Sequence, residues 1–184
     1  MILLLLQSIY FIVPAYFANM APVIAKRLRI LKEISHPVDM NTKLEDGKPL
    51  FGRHKTYRGI IVAVITGILF AYVQKALYSI AFFRDISIID YSNPALLGIL
   101  LGAGAITGDL LKSFFKRRIN IRPGRPFIPF DQVDFVIGAY IFAYPAYAEA
   151  ISFRLTLSSL IASFVLHIAV NHLAYYLKIR KEKW

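Results

Sequence analysis

The sequence contains no cysteine, which excludes disulfide bonds and thiolate metal sites. Acidic residues are also scarce: 11 aspartates and glutamates stand against 22 lysines and arginines, giving a net charge of +11. The chain lacks the aromatic-basic repeats and zinc-finger spacings that would connect such a charge with nucleic acid. We therefore expect no nucleic-acid partner.

Charged residues are missing from long blocks of the chain. Residues 1–25 and 155–177 contain no Asp, Glu, Lys or Arg, whereas 59–83 and 86–108 contain one each. The hydrocarbon core of a bilayer is about 30 Å thick, and a helix needs roughly 20 apolar residues to cross it. The sequence therefore predicts an all-α integral membrane protein.

Five transmembrane helices are predicted within a single domain, and the first begins near the N-terminus. That first block has no basic residues ahead of a long apolar run, which favours a membrane span over a signal peptide. The fourth span is the most polar, because Asp131 and Asp134 stand at its start. The approximate bounds of the five spans are 2–25, 58–81, 93–115, 131–150 and 154–177.

The basic residues predict the orientation of these spans, because lysine and arginine collect on the cytoplasmic side of a membrane. Nineteen of the 22 lie within or beside the loops 26–57 and 116–130 or in the C-terminal tail. The prediction is a multi-pass plasma-membrane protein with the N-terminus outside and the C-terminus in the cytoplasm. Its two basic loops, and the polar chemistry they carry, would then face the cytoplasm.

The segment GDLLKSFFKRRINIRPGRPFIPFDQVD, residues 108–134, concentrates charge at a membrane boundary. On a helix Asp109, Lys112, Ser113 and Lys116 share one face, because they are spaced i, i+3, i+4 and i+7. Asp131 and Asp134 are also spaced i, i+3, so their carboxylates repel each other unless one is protonated or a cation lies between them.

A magnesium site is one interpretation of this pattern. Asp109 could join Asp131 and Asp134 in a set of oxygen ligands, which suits Mg²⁺ bound together with phosphates. The basic residues of the segment outnumber its three aspartates, which points to a polyphosphate ligand. Simpler interpretations stay open: Lys116 to Arg118 as membrane anchors, Asp131 as a helix cap, and Asp109 paired with Lys112 or Lys116.

The order of these residues resembles the signature of the phosphatidate cytidylyltransferase family. That pattern runs S-x-x-K-R, a linker with a His-Gly-Gly element, and D-R-x-D. Here the His-Gly-Gly element is absent, and Gln132 stands where the usual arginine would be. The matching residues are Gly108, Asp109, Leu110, Ser113, Lys116, Arg117, Ile128, Pro129, Asp131 and Asp134.

A second element narrows the resemblance to the archaeal branch of that family, the CDP-archaeol synthases. Residues 46–59, DGKPLFGRHKTYRG, are similar to its D-G-x-x-x-x-G-x-x-K-T-x-R-G element. Pro37 and Asp39 fit the P-x-D that precedes it, and the short chain with five spans also fits this branch.

The resemblance implies Mg²⁺-dependent transfer of CMP from CTP to an unsaturated isoprenoid ether lipid phosphate in the bilayer, with release of pyrophosphate. It implies that Asp109, Asp131 and Asp134 hold the metal and, with Lys116, are catalytic. The residues it implies for substrate binding are Lys55, Thr56, Arg58, Gly59, Ser113 and Arg117, to which spacing alone adds Lys112.

Other functions stay open at this stage. A CTP-dependent polyprenol or lipid kinase would release CDP in place of pyrophosphate. An organic-phosphate transporter would also carry intramembrane charges, although its site usually lies near the midplane between repeated halves. A non-catalytic bundle would use basic loops to bind anionic lipid head groups. The sequence leaves open whether the protein forms a homodimer. It also leaves open the roles of Asn19, Asp46, His167, Asn171 and His172.

Overall fold

The computed structural model describes residues 1–122 and 125–176. In that part of the chain the regular structure is helical apart from isolated β-bridges in a loop, which confirms the all-α prediction. The basic C-terminal tail lies outside the described residues. The helices are α1 (Ile2–Phe11), α2 (Val13–Arg27), α3 (Tyr57–Leu77), α4 (Ala81–Asp85), α5 (Pro94–Arg118), α6 (Phe130–Tyr147) and α7 (Phe153–Tyr176), with a 3₁₀ turn at Lys32–Ile34.

The first predicted span is not one straight helix. α1 and α2 are separated at Ile12 and bent by 46°. Pro14 lies in the first turn of α2, where its missing N–H would have no partner within the helix in any case. If α1 continued without a break, Pro14 would lie in a helix interior, where it would lose a backbone hydrogen bond and clash with the preceding turn. The segment predicted as the first span, 2–25, is therefore formed by two helices with a break at Ile12.

α5 is the central helix, and glycines bring its backbone close to two neighbours. A Cβ atom built on Gly98 would overlap the backbone of α3, and one on Gly104 or Gly108 would overlap the backbone of α6. From the other side, a Cβ on Gly138 of α6 would overlap the backbone of α5. Small residues at helix crossings of membrane proteins permit this close approach. The crossing sets the polar end of α5 directly beside the start of α6.

α7 is joined to the rest of the bundle by hydroxyl groups. The hydroxyls of Tyr140 and Ser159 are 2.6 Å apart, and Ser159 Oγ donates to the carbonyl of Ser8 at 3.0 Å. Tyr16 and Ser163 form a further hydroxyl pair. Such bonds satisfy polar groups between membrane helices.

Three described helices are long and apolar enough to cross a membrane: Tyr57–Leu77, Pro94–Arg118 and Phe153–Leu173. The bent pair α1–α2 passes the same test as one unit, which makes four. α6 is not among them, because polar residues such as Asp131 and Asp134 occupy its first turns. The chain is therefore a helical membrane protein with three to four candidate spans.

Candidate active site

Lys112 of α5 lies among three carboxylates. Its Nζ atom is 3.1 Å from Asp109 Oδ1, 3.1 Å from Asp131 Oδ1 and 2.8 Å from Asp134 Oδ2. All four side chains are largely buried. The i, i+3 spacing on each helix puts two carboxylates on the start of α6 and the aspartate–lysine pair on α5. A cation therefore lies between the two α6 aspartates, and here it is an ammonium group.

Two more lysines complete this charge cluster. Lys116 Nζ is 3.1 Å from both carboxylate oxygens of Asp131 and donates to the Arg125 carbonyl at 2.6 Å. Lys55, from the loop before α3, forms an ion pair with Asp109. Three lysines thus neutralise three aspartates, which lowers the cost of burying each charge. We call these six residues the charge cluster: Lys55, Asp109, Lys112, Lys116, Asp131 and Asp134.

The carboxylates suit a hard divalent cation in chemistry, although the lysines hold them in this structure. Asp134 Oδ2 is paired with Lys112 Nζ at 2.8 Å, whereas the buried Oδ1 has no hydrogen-bond partner among the described residues, so one oxygen has capacity to spare. Among the described residues, no three His, Cys, Asp or Glu side chains form a ready metal-ligand set. The donors fit Mg²⁺, and Lys112 occupies the position between them.

The loop 28–56, here loop one, is folded around Asp39. The buried Asp39 carboxylate accepts the backbone N–H groups of Asn41 at 3.0 Å, Phe51 at 2.9 Å and Gly52 at 2.8 Å. Burial disfavours the charged form, but these three donors outweigh it and hold the pKa of the Asp39 carboxyl below its ordinary value. Gly52 adopts φ +100°, a conformation that favours glycine. The turn it makes leads directly to Lys55.

Loop one is also fastened to the end of α5. Arg118 Nη1 donates to both carboxylate oxygens of Asp46, at 2.8 and 3.0 Å. In return Lys48 Nζ donates to the Arg118 carbonyl at 2.8 Å. Asp46, whose role the sequence left open, is thus a loop anchor.

A cavity of about 570 Å³ opens beside the charge cluster, between α2, α3, α5, α6 and α7. One part of its lining is charged, with Lys55, Asp109 and Lys116 among its members. Another part is apolar, formed by side chains such as Pro22 and Ile106. The lining also includes Asn19, His167 and Asn171, three polar residues that lie within predicted spans. The site therefore combines a charged region with an apolar one.

Several other predicted site residues contribute hydrogen bonds to the scaffold near this cavity. Thr56 caps α3 by accepting the Gly59 N–H at 3.2 Å, and Ser113 Oγ donates to the Asp109 carbonyl at 2.8 Å. A Cβ atom built on Gly59 would be in ordinary van der Waals contact with Pro22. Arg117 is turned away from the charge cluster, toward a neighbouring cavity in loop one.

Arg58 is not brought to the charge cluster. Its Nη1 donates to the Ile30 carbonyl at 3.5 Å, and the side chain is buried beneath loop one. His172 likewise bonds along its own helix, with Nδ1 2.9 Å from the Ile168 carbonyl.

Sequence reasoning assigned no individual role to three residues of the site, although it counted Arg125 among the basic residues that outnumber the three aspartates. His54 and Arg125 line the cavity from the two loops, and Gln132 lines it from the first turn of α6. Gln132 is buried, and its Oε1 has no hydrogen-bond partner among the described residues. The available signal was its position between the two motif aspartates.

The chain is similar to known proteins along its whole length. The family model described as CarS-like, CDP-archaeol synthase, matches residues 1–184. CDP-archaeol synthase of Pyrococcus furiosus is 34% identical over 180 residues, covering 98% of each chain. That of Methanococcoides burtonii is 37% identical over 157 residues, covering 80% of this chain and 90% of its own.

A solved structure of an intramembrane enzyme for archaeal membrane lipids biosynthesis has a similar fold. It superposes with a TM-score of 0.69 at 29% sequence identity, covering 89% of this chain and 91% of its own.

Proposed function

The chain belongs to the CDP-archaeol synthase family and is a cytidylyltransferase, and from this premise we propose its reaction in detail. It transfers CMP from CTP to the phosphate of an unsaturated archaeal diether lipid, of the 2,3-bis-O-geranylgeranylglycerol 1-phosphate type. The products are CDP-archaeol and pyrophosphate.

The observation that carries this proposal is the two-sided cavity beside the charge cluster. Its lysines suit phosphate groups, and its apolar part suits the first carbons of lipid chains. Val23 lines the cavity and is also 71% exposed, which supports an opening beside α2 toward the lipid phase. A lipid phosphate could thus enter while its long chains stay in the bilayer.

The chemistry requires two anions to meet. An oxygen of the lipid phosphate attacks the α-phosphorus of CTP, and the bond from that phosphorus to the bridging oxygen breaks. Catalysis then depends on positioning and on neutralising charge. Lys55, Lys112 and Lys116 are the cations best placed to bind the reacting phosphates, because they exchange one anionic partner for another.

Asp109, Asp131 and Asp134 would hold Mg²⁺ once Lys112 leaves its position between them. Bound there, the metal would supply a Lewis acid that stabilises charge on phosphoryl oxygens. The buried Oδ1 of Asp134, which has no hydrogen-bond partner among the described residues, supports this assignment.

The site faces the cytoplasm in this proposal. α6 then crosses the membrane as a fifth span, with its polar first turns protected by α5, and the N-terminus lies outside. The support is the charge distribution: 19 of 22 lysines and arginines lie at the end of the molecule that carries loop one or in the C-terminal tail. The membrane is the plasma membrane, where CTP is available from the cytoplasm.

The test is an end-point assay on purified protein in detergent with labelled CTP, Mg²⁺ and a panel of lipid phosphates. Pyrophosphate and a CDP-lipid that require the ether lipid phosphate, and that disappear with EDTA, are the expected result. CDP in place of pyrophosphate would instead identify a lipid kinase. Turnover that persists in EDTA would remove the metal from the proposal.

A further inference from the structure

A second cavity, of about 520 Å³, lies within loop one and against the end of α5. Its basic lining consists of Lys43, Arg53, His54 and Arg117. Loop one builds most of its wall, with Gly47 and Gly52 in left-handed conformations on its turns. Unlike the first cavity, it is lined entirely by loop one and one residue of α5.

The charges of this second cavity are unbalanced. Its one acidic residue is Asp39, whose carboxylate oxygens already accept three backbone N–H groups. In the described part of the chain, Lys43, Arg53 and Arg117 form no ion pair within 4.0 Å. Arg117 Nε is also buried without a hydrogen-bond partner. The charge cluster neutralises itself, whereas this cavity has cations to offer to an anion.

A smaller cavity of about 160 Å³ shares lining residues with both of these cavities. This small cavity shares Lys55, Lys112 and Lys116 with the first and Arg53 and Arg117 with the second. His54 lines all three. A row of basic side chains therefore leads from the charge cluster into loop one.

We propose that the second cavity binds pyrophosphate, first as the β- and γ-phosphates of CTP and then as the free product. This inference rests on the proposed function. When the bond at the α-phosphorus breaks, the bridging oxygen and its electron pair leave with the pyrophosphate. The pyrophosphate then carries more negative charge and binds more strongly to basic side chains. The neighbouring basic side chains that could bind it are Lys43, Arg53, His54 and Arg117.

The Lys116–Arg117 pair of the family motif is divided by this arrangement. Lys116 faces the carboxylates and Arg117 faces loop one. Adjacent residues on a helix point about 100° apart, so Lys116 lines the first cavity and Arg117 the second, and both line the small cavity. One lysine binds at the reacting phosphate and one arginine binds the leaving group.

The test compares the full-length protein with its Arg53→Gln and Lys43→Gln variants in detergent. Both side chains are exposed, so the substitutions should leave folding intact, which thermal unfolding will verify. The matched control is Lys32→Gln, in the same loop but outside all three cavities. The measurements are inhibition of cytidylyl transfer by inorganic pyrophosphate, inhibition by CMP, and KM for each substrate.

We expect Arg53→Gln to raise the inhibition constant of pyrophosphate about tenfold and Lys43→Gln to raise it severalfold. KM for CTP should rise, and KM for the lipid phosphate and inhibition by CMP should not change. Unchanged pyrophosphate inhibition in both variants would overturn the inference. So would weaker CMP inhibition with pyrophosphate inhibition intact, because the cavity would then bind the nucleoside.

Calorimetry with inorganic pyrophosphate alone separates this inference from the proposed function. If the wild-type protein shows no cytidylyl transfer, the proposed function fails. Pyrophosphate binding that is lost in Arg53→Gln and kept in Lys32→Gln would still support the second cavity as an anion site. Binding equal in all variants, or absent from the wild type, would reject it.

Discussion

The backbone of α5 at Gly108 lies so close to the Asp134 carbonyl of α6 that a Cβ atom would overlap that oxygen. The same crossing brings Gly138 against the Gly104 carbonyl. Asp109 follows Gly108 directly, so this contact sets the separation between the aspartates of the two helices. The geometry around Lys112 therefore depends on residues that have no side chains.

Replacing Gly108 with alanine should force α5 and α6 apart. Overpacking costs about 1–3 kcal/mol of stability, more where only backbone can yield, and it outweighs the small gain in helix propensity from alanine. We expect a lower unfolding temperature and loss of most cytidylyl transfer. Ile99→Ala, on the exposed face of the same helix, should affect both far less. Normal activity of Gly108→Ala would show that the helix separation is not critical.

Lys112→Met should leave three buried carboxylates without their shared cation. Removing one partner of a buried ion pair costs about 3–5 kcal/mol. We expect a lower unfolding temperature in EDTA and partial recovery in millimolar Mg²⁺, because the metal can take the position of the ammonium group. Catalysis should be lost in both conditions. Lys75→Met, outside the site, is the control. If the unfolding temperature of Lys112→Met does not change with Mg²⁺, a metal site at these aspartates would be contradicted.

The charge of Asp39 should stabilise loop one in the wild-type protein over a wide pH range. Because the pKa of Asp39 is lowered in the folded state, its charged form stabilises the fold fully above the ordinary aspartate pKa of about 3.9. That stabilisation disappears as the pH falls through the lower value in the folded state. Wild-type protection of the Phe51 and Gly52 amides, measured by hydrogen exchange, should thus be flat from pH 8 to 5.

Replacing Asp39 with asparagine should loosen loop one, so that at pH 7 the Phe51 and Gly52 amides exchange with solvent more often than in the wild type. Hydrogen bonds to a charged group contribute about 1.5–3 kcal/mol, so protection should fall by at least tenfold. Asp90→Asn is a suitable control, because Asp90 makes a comparable bond to the Ser92 N–H in a different loop. Equal protection in the two variants would remove Asp39 as the organiser of loop one.

The Asp46–Arg118 pair should contribute only modestly. Both groups are partly exposed, and such pairs are worth about 0.2–1 kcal/mol and weaken with salt. Asp46→Ala should raise KM for CTP a few fold at low salt and leave kcat nearly unchanged. Glu45→Ala, at the neighbouring position, is the control. A large fall in kcat would argue that Asp46 touches substrate.

The absence of cysteine makes the proposed orientation easy to test. A single cysteine at Ser35 in loop one or at Ser92 between α4 and α5 would be the only thiol in the protein. With a membrane-impermeant maleimide, intact cells should label Ser92→Cys, whereas Ser35→Cys should react only after permeabilisation. The reverse pattern would invert the topology, and the unmodified chain is the blank.

Local spacing predicted much of the charge cluster. The separations of Asp109 from Lys112 and of Asp131 from Asp134 are single helical turns, so each pair shared a face before any tertiary contact was considered. The open alternative of an Asp109–Lys112 ion pair is confirmed at 3.1 Å. Asp131 is not the helix cap, because Pro129 occupies that position.

Contacts between distant segments were beyond reach of the sequence. Arg118 reads as an ordinary membrane anchor until loop one folds back and brings Asp46 to it. The fold of loop one depends on the backbone N–H groups that donate to the Asp39 carboxylate. Because every residue except proline has such a group, the sequence does not show which ones Asp39 binds. Likewise, α1 and α2 read as one apolar run, and only the geometry revealed the bend beside Pro14.

The equal numbers of lysines and aspartates in the charge cluster determine what a ligand must exchange. Each buried charge of the cluster has a counter-ion, so an anion or a metal ion that binds there must replace one of these internal partners. Binding at the site is therefore an exchange of ion pairs: a lysine or an aspartate leaves its internal partner only when a ligand of matching charge replaces that partner. Weakly charged metabolites gain little by entering.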